Sequence, residues 1–359
     1  MKHRKNILLN KVKKLWKRNI KSKLKRKEKR KKLKGVKRKY TKDKNSYLEK
    51  NWDSEKIRAP NNFSFIEKTN DVVSFINKLS DCFDKRKKVF IVLKNVENIT
   101  YDALVVLLSI MVKFKSKKIG FNGDFPKNKK AFEILTQSGF FEYLYFSNFK
   151  SKDTYDLPSK SGIHTHAMKN VDSILGDKII TNASKTIWNE KRRCQGVQKT
   201  LLELMQNTNN HADIDMEGVK HWWLSAFHIK EEKKVTFSFV DFGVGIFNSL
   251  DNKPQRSKWY GWGQKLAAAF SFSNNAELLK LIMDGKLHTT ITNKPYRGKG
   301  LPGLKLTMDR NQISNLHIIS NNVKADVKNN AYTLLNKNFN GTFVYWELTE
   351  TNKNCDGDA

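Results

Sequence analysis

Hydrophobic and polar residues recur with two different spacings along the first third of the chain, and each spacing indicates a kind of element. Apolar runs at 89–96 (VFIVLKNV) and 118–123 (KIGFNG) predict strands. The apolar stretch 103–114 predicts a buried helix, and helical spacing over 129–144 predicts an amphipathic helix. The residues expected to face inward on that last helix are Phe132, Leu135, Phe140 and Leu144. Strands that alternate with helices favour a sheet covered by helices.

Two further strand-like runs, at 221–229 and 234–240, flank the charged turn KEEK. The second run alternates apolar and polar residues and continues directly into DFGVGI (241–246). A carboxylate at the end of a buried strand is costly unless it accepts hydrogen bonds. Gly243 and Gly245 remove the side chains that would keep a flat ligand away from Asp241. The pattern suits recognition of an adenine amino group.

A polar ladder interrupts the apolar helix around ELMQNTNNHA (203–212). Glu203, Asn207 and His211 are spaced i, i+4, i+8, which places them one above another on a single helical face. Such a ladder is either the solvated stripe of a surface helix or a set of chemically active groups.

A third motif, RGKGLPGLKL (297–306), places Gly298, Gly300 and Gly303 around a predicted helix start. Glycine-rich backbone at a helix N-terminus offers several N–H donors to a phosphate, and Lys299 adds a positive charge. The motif also matches G-x-G-x-x-G, but the loop-like NKPYR before it argues against a dinucleotide-binding domain. The chain contains no G-x-x-x-x-G-K-[ST], which excludes a P-loop.

The three motifs occur in the order E-x3-N-x3-H-A, D-x-G-x-G-I and G-x-G-L-x-x-L, over about 100 residues. In this order they resemble the N, G1 and G2 boxes of the GHKL superfamily, which includes gyrase, MutL, histidine kinases and anti-sigma-factor kinases. The resemblance covers roughly Ile187 to Glu350 and extends to NGTFVYWEL (340–348), since that fold closes with a strand that begins Gly-Thr. It implies an α/β sandwich in which helices are layered on one mixed sheet.

The resemblance also implies roles for the polar ladder, with ATP and Mg²⁺ as cofactors. Asn207 would bind the Mg²⁺ that bridges the phosphates, and one protein oxygen is enough for a metal that keeps most of its waters. Glu203 would activate the water or hydroxyl that attacks the γ-phosphate. His211 would lie near the phosphates, or it is simply a surface histidine that ends the helix.

The same resemblance assigns the base and the phosphates. Asp241 would bind the adenine amine, Gly243 and Gly245 would line the adenine, and Thr342 would lie beside Asp241. The residues expected at the phosphates are Gly298, Lys299, Gly300 and Leu301.

The α/β pattern before these boxes, together with AFEILTQSGFFEYL (131–144), resembles the STAS domains of anti-sigma-factor antagonists over roughly 90 residues. That family carries a phosphorylatable serine at the start of the helix after the strand. The matching stretch here is NITYDALVVLL (98–108), with Tyr101 and Asp102 in place of serine. The resemblance implies the fold but not the phosphorylation switch, although the region could still bind a protein partner.

These patterns divide the chain into five segments: a basic tail at 1–50, a STAS-like domain at 51–149, a connector at 150–186, a GHKL ATP-binding domain at 187–352, and a disordered C-terminus at 353–359.

Charge changes the picture most in the tail. The chain carries a net charge of +34, and residues 1–44 contain 23 Lys or Arg against only Glu28 and Asp43. Apolar residues from Leu8 to Leu24 recur at helical spacing between these cations, so a basic amphipathic helix is expected to form on a polyanion. Nucleic acid is the preferred partner; an anionic membrane surface and a merely solubilising arm are the alternatives.

The three cysteines are odd in number and form no C-x-x-C pair, which argues against a disulfide framework or a zinc site. No apolar run is long enough for a transmembrane helix. These features predict a soluble cytoplasmic protein.

Three functions are compatible with these patterns. The preferred one is a Mg-ATP-binding ATPase that acts as a molecular switch, with a polyanion-binding tail. A serine/threonine kinase of the anti-sigma-factor type is the first alternative, and a non-catalytic nucleic-acid-binding adaptor is the second. The carboxylates and amide at Glu203, Asn207 and Asp241 argue against the adaptor, because a purely structural site has no need of them.

Overall fold

A computed structural model of the chain describes residues 54–141, 144, 162–168, 173–211, 221–247, 274–286 and 300–353, with the backbone alone at 162–168, 207–211 and 221. All of these residues belong to one compact unit, Asp53–Ala359. The tail at 1–50 and the last residues, 354–359, lie outside the described part.

The strands are β1 (Glu55–Arg58), β2 (Asn62–Phe63), β3 (Val89–Val92), β4 (Asn98–Ile99), β5 (Phe121–Gly123), β6 (Gly162–Met168), β7 (His221–Ile229), β8 (Lys234–Asp241), β9 (Ser314–Asp326) and β10 (Ala331–Thr349). The helices are α1 (Thr69–Asp84), α2 (Tyr101–Ser116), α3 (Lys129–Gln137), α4 (Ser173–Trp188), α5 (Gln195–His211), α6 (Asn275–Met283) and α7 (Gly300–Asp309).

Residues 54–144, called the α/β region below, form parallel strand-helix-strand units. The strand order is β1-β3-β5, and both pairings are parallel, as are those of the short strands β2 and β4. The mixed α/β class predicted for this region is therefore confirmed. The helix expected at 103–114 is present as α2, while β1 and α1 have no counterpart among the elements predicted from sequence.

The amphipathic helix predicted over 129–144 has a shorter regular part. It starts where the side chain of Asn128 caps it by accepting a hydrogen bond from the Ala131 amide, and α3 ends at Gln137. Leu135, Phe140 and Leu144 are buried as expected. The inward placement of Phe132 is wrong, because its side chain is 41% exposed and its ring packs in a tilted orientation against Phe125 at the surface.

The second sheet has five strands in the order β6-β7-β8-β10-β9. Every pairing in it is antiparallel, so the expectation of a mixed sheet is wrong for the described strands. The reason is connectivity: β7 and β8 are joined by the short turn at 230–232, and β9 and β10 by a hairpin, so neighbours along the chain pair in opposite directions. The segment predicted as a connector, 150–186, contributes β6 and most of α4 to this assembly.

The two faces of this sheet pack against different partners, because successive side chains of a strand point to opposite faces. One face packs in a hydrophobic core with α4, α5, α6 and α7, and its largest side chains are Trp222, Phe237, Phe239 and Trp346. The other face shares a core with the α/β region, to which it contributes Trp223, Val240, Ile319 and Phe343. The sheet is thus covered by a helical layer on one side and by the α/β region on the other.

Helix α2 explains how the second face is buried. All ten residues from Ala103 to Val112 are buried, so the helix is apolar around its whole circumference. Such a helix has to be covered on all sides, and α2 lies between the rest of the α/β region and strands β7 and β8. Among the described residues, no helix combines the length and the apolar character that a membrane crossing requires.

Candidate nucleotide-binding site

Asp241 is the last residue of β8, the middle strand of the second sheet. In the ladders on either side it lies opposite Trp222 of β7 and Thr342 of β10. Because side chains alternate, Asp241 and Thr342 lie on the same face as Phe239 and Val344, the face that the helical layer covers. A half-buried carboxylate therefore stands beside a hydroxyl at the end of the central strand.

The glycine before Thr342 allows this close approach of β10 to β8. Gly341 has φ of +143°, and a Cβ built there would lie 2.1 Å from the Asp241 carbonyl oxygen and 3.2 Å from Cα of Phe242. Any side chain at this position would collide with the backbone. Glycine is thus required at position 341 by the contact with Asp241, and the Gly-Thr pair lies within β10 rather than at the start of that strand.

Residues Phe242–Phe247, called the glycine loop below, are held by two side chains from β9. The Ser320 hydroxyl accepts a hydrogen bond from the Ile246 amide (2.9 Å) and donates one to the Gly341 carbonyl (2.9 Å). Asn321 accepts through Oδ1 from the Phe247 amide (3.2 Å) and donates through Nδ2 to the Val244 carbonyl (2.9 Å). Both side chains are buried.

Gly245 has a specific role in this arrangement. Its φ is +78°, and a Cβ there would lie 2.3 Å from Oδ1 of Asn321. The Asn321 side chain therefore occupies the space that a side chain at position 245 would need. Asn321 itself has φ of +48°, a left-handed conformation that asparagine tolerates better than most residues.

The opposite side of the glycine loop contacts the α/β region. The Phe242 ring lies under the Lys113 ammonium of α2, 4.0 Å from the ring centroid, and meets the Phe339 ring edge-on at 5.9 Å. Phe339 also packs against Phe65 of the α/β region, with ring centroids 5.3 Å apart. The residue next to Asp241 is thus in contact with both halves of the molecule.

The polar ladder lies on α5, whose 17 residues run without a break from Gln195 to His211. Glu203, Asn207 and His211 therefore share one helical face. Glu203 is half-buried, whereas the side chains of Asn207 and His211 lie outside the described part.

Helix α7 begins at Gly300 and packs against α5. A Cβ built on Gly196 of α5 would come within 2.7 Å of Thr307 of α7, so glycine permits this close helix contact. A Cβ on Gly303 would lie 3.8 Å from Cε and 4.0 Å from Nζ of Lys199. Leu301 is half-buried, and Gly298 and Lys299 lie outside the described residues.

Lys199 was not predicted as a site residue, although its spacing carried a signal. It lies four residues before Glu203, so it extends the ladder of α5 by one turn in the N-terminal direction. Its side chain reaches the first turn of α7, where backbone N–H groups lack helical partners. A cation from α5 therefore lies beside the helix start that was predicted to bind phosphate.

The elements of the site converge on one hydrophobic core. Leu204 of α5, Trp222 opposite Asp241, and Leu304 of α7 all belong to it. The helices that carry the ladder and the predicted phosphate contacts thus cover the sheet face on which Asp241 and Thr342 lie. Within the described residues, no group of three or more His, Cys, Asp or Glu side chains is arranged to hold a metal ion.

The position that matches the STAS phosphorylation site is packed against the second sheet. The Tyr101 ring stacks on Phe227 of β7, with centroids 3.8 Å apart and planes 13° apart. Asp102 is buried and accepts a hydrogen bond from the Ile66 amide (2.9 Å), and burial raises the pKa of its carboxyl. The Tyr101 ring thus belongs to the contact between the α/β region and the sheet, whereas Asp102 joins two segments of the α/β region.

No protein-family model matches the chain, and no curated protein matches it.

Proposed function

We propose that the chain is a Mg-ATP-binding protein of the GHKL type, in which nucleotide binding and slow hydrolysis switch the state of the protein, and in which the basic tail binds a polyanion. The observation that carries this proposal is the placement of Asp241. It ends the central strand beside Thr342, it is followed by a glycine loop, and it lies on the sheet face covered by α5 and α7. A flat base can be bound there by a carboxylate, and the helices above can bind its phosphates.

The proposed roles follow from this placement. Asp241 accepts a hydrogen bond from the adenine amino group, and Thr342 stands close enough to support that contact. The start of α7 offers backbone N–H groups to the phosphates, and the Lys199 ammonium adds positive charge at the first turn of that helix.

The chemical step is assigned to the ladder on α5. Asn207 would supply an amide oxygen to a Mg²⁺ ion, which would provide positive charge for the phosphates. Glu203, one turn before it, accepts the proton of the nucleophile that attacks the γ-phosphate. His211 is assigned to the same face, near the phosphates.

A serine/threonine kinase would use the same residues, with a protein hydroxyl as the nucleophile in place of water. The acid at Glu203 and the attached α/β region favour this second candidate. The resemblance to STAS domains puts Tyr101 and Asp102 where that family carries a phosphorylatable serine, and here Tyr101 is stacked on Phe227 and Asp102 is buried. A kinase of this kind would therefore phosphorylate another protein.

One assay separates these functions. The protein is incubated with γ-labelled ATP and Mg²⁺, alone and with cell extract, and the label is followed. Release of labelled phosphate by the isolated protein supports the ATPase, and label retained on a protein supports the kinase. The same reactions with Glu203→Gln show whether the activity belongs to this site. Absence of both products together with absence of ATP binding would refute the proposal and favour the nucleic-acid-binding adaptor.

A further inference from the structure

The glycine loop is tied to β9 by side-chain hydrogen bonds that no sequence motif indicates. Ser320 and Asn321 are adjacent in β9, and they bind three backbone groups of the loop: the amides of Ile246 and Phe247 and the carbonyl of Val244. Ile246 and Phe247 lie in a helical turn that begins at Gly245, and the first N–H groups of a helix have no partner within the helix. The two side chains therefore fix the course of the chain directly after Asp241.

The same stretch of β9 begins an extended hairpin. Residues 321–339, called the arm below, comprise the end of β9, the turn, and the start of β10. The ladder is irregular at its base, where Asn321 pairs with Phe339 between two register shifts. The arm therefore starts at the residue that holds the glycine loop.

The arm lies along helix α1 of the α/β region. The Asn336 amide donates to Oδ1 of Asn70 (2.9 Å), and Nδ2 of Asn77 donates to the Asn338 carbonyl (2.9 Å). Lys324 donates to the Ile66 carbonyl, where half-burial of the ammonium lowers the pKa of Lys324. These contacts join the arm to the α/β region over much of its length.

From these contacts we infer that Ser320 and Asn321 are positioning residues for the glycine loop, and that through the arm they couple the adenine-binding loop to the α/β region. The inference rests on the proposed function for its ligand, but the anchoring of the loop can be tested without nucleotide. If a nucleotide orders the glycine loop, it also stabilises the arm against α1. A partner that binds the α/β region and shifts the arm therefore changes the affinity for nucleotide. By thermodynamic reciprocity, nucleotide changes the affinity for that partner by the same factor.

The decisive variant is Asn321→Gly. Glycine accepts the φ of +48° without strain, so this change removes the two hydrogen bonds from the Asn321 side chain to the glycine loop and leaves the backbone free to keep its conformation. The matched control is Asn330→Gly, which replaces an asparagine with φ of +50° at the exposed tip of the arm. Asn321→Asp keeps an oxygen that can accept from Phe247, but it sets a second carboxylate oxygen against the Val244 carbonyl at a buried position. It should therefore accelerate exchange at least as much as Asn321→Gly.

The first readout is hydrogen–deuterium exchange of peptides that contain residues 242–247, in the full-length protein without nucleotide. Asn321→Gly should accelerate exchange of the Phe247 amide and its neighbours, while Asn330→Gly should leave them unchanged. The second readout is affinity for Mg-ATP, which should fall by about tenfold in Asn321→Gly, the usual effect of a lost buried hydrogen bond. The preference for ATP over GTP should shrink as well, which a mere loss of stability would not cause.

Coupling through the arm is tested by changing the residues of α1 that contact the arm. The double variant Asn70→Ala, Asn77→Ala removes two contacts between α1 and the arm, with Lys78→Ala as the control on the same helix. Faster exchange at 242–247 in the double variant supports the coupling, and unchanged exchange refutes it. Unchanged exchange in Asn321→Gly would refute the anchoring itself. If the unmutated protein binds no adenine nucleotide, the proposed function is wrong, while the exchange data still decide whether the loop is anchored in this way.

Discussion

Thr342 lies directly opposite Asp241 in the antiparallel ladder between β10 and β8, and both side chains are on the sheet face that α5 and α7 cover. Residues in such directly opposed pairs have Cβ atoms about 5 Å apart. One flat ligand can therefore contact the carboxylate and the hydroxyl together. This pair is the observation that supports the proposal that adenine binds at this edge of the sheet.

The first prediction concerns nucleotide selectivity. Mg-ATP or Mg-ADP should raise the melting temperature by mass action on the folded state, and GTP should not, because guanine lacks the amino group at position 6 that donates to a carboxylate. Asp241→Asn should remove this preference, with Asp309→Asn on the exposed end of α7 as the control. Equal protection of the unmutated protein by GTP and ATP would contradict the assignment of Asp241.

The second prediction concerns the backbone contact beneath that pair. Gly341→Ala should lower the free energy of unfolding by more than about 2 kcal/mol, because the new methyl group would collide with the Asp241 carbonyl. Gly176→Ala is the matched control. Gly176 lies within α4, and a Cβ there would meet nothing within 4 Å. This control should stabilise the helix by up to about 1 kcal/mol. Urea unfolding monitored by circular dichroism measures both, and a mild effect at Gly341 would show that β10 can move away.

Much of the fold could be predicted because its elements have strong local patterns. The apolar run at 103–114 gives a helix that is buried on every side, and alternation over 234–240 gives the central strand. The direction of the sheet pairings could not be read in this way, because it depends on which strands the connections bring together. Burial of the second sheet face by the α/β region could not be predicted either, because it depends on contacts between residues far apart in the sequence, such as Tyr101 with Phe227.

The same distinction between local patterns and long-range contacts applies to the residues of the candidate site. Asp241, Gly243, Gly245 and Thr342 carry motif signals, and for Gly245 the contact with Asn321 shows why the residue has to be glycine. Ser320 and Asn321 carry no such signal, because they act through hydrogen bonds to a loop more than 70 residues earlier in the chain. Lys199 is intermediate: its spacing from Glu203 could have been noticed, but its closeness to Gly303 requires the packing of α5 on α7.

The third prediction separates binding from chemistry on α5. Glu203→Gln should leave ATP affinity within a few-fold while turnover falls by about 10² or more, the usual effect of losing a general base. Asn207→Ala should instead weaken Mg²⁺-dependent binding. Phosphate release and protein labelling measure the turnover, and Glu231→Gln in the turn after β7 is an exposed control. Full turnover in the Glu203 variant would remove that residue from the catalytic step.

The fourth prediction concerns stability and pH. Nδ1 of His228 on β7 lies 2.7 Å from the Thr186 hydroxyl of α4, and burial, with a smaller effect of Lys230, lowers the pKa of His228 to about 4. The unfolded state therefore binds more protons than the folded state between that value and the ordinary pKa of about 6.5. The stability that neutral His228 contributes is complete above pH 6.5 and is lost as the pH falls towards 4.

The variant His228→Gln isolates this effect, because glutamine does not titrate. Urea unfolding at pH 5 and pH 7 should show that the unmutated protein loses more stability on acidification than the variant, by up to about 1.4 kcal/mol for each pH unit. His317, whose pKa burial also lowers, is present in both proteins, so its contribution cancels in the comparison. Parallel pH profiles would show that His228 titrates near its ordinary value.

The last prediction concerns residues 1–44, whose structure lies outside the described part and whose charge is +21 from 23 basic and two acidic residues. Attraction to phosphates releases counterions, so log affinity for RNA or DNA should fall linearly with log salt, by about 0.7 to 0.9 per phosphate neutralised. Lysine-rich chains contact the nucleic-acid backbone rather than base edges, so sequence preference should be small.

Deletion of residues 1–44 should abolish most of this binding, measured by fluorescence anisotropy. ATP binding should persist, because every residue assigned to the nucleotide lies beyond 198. Vesicles with and without anionic lipid are the control for the apolar stripe from Leu8 to Leu24. If the full-length and truncated proteins bind nucleic acid equally at about 100 mM salt, where the screening length is about 10 Å, the tail has another role.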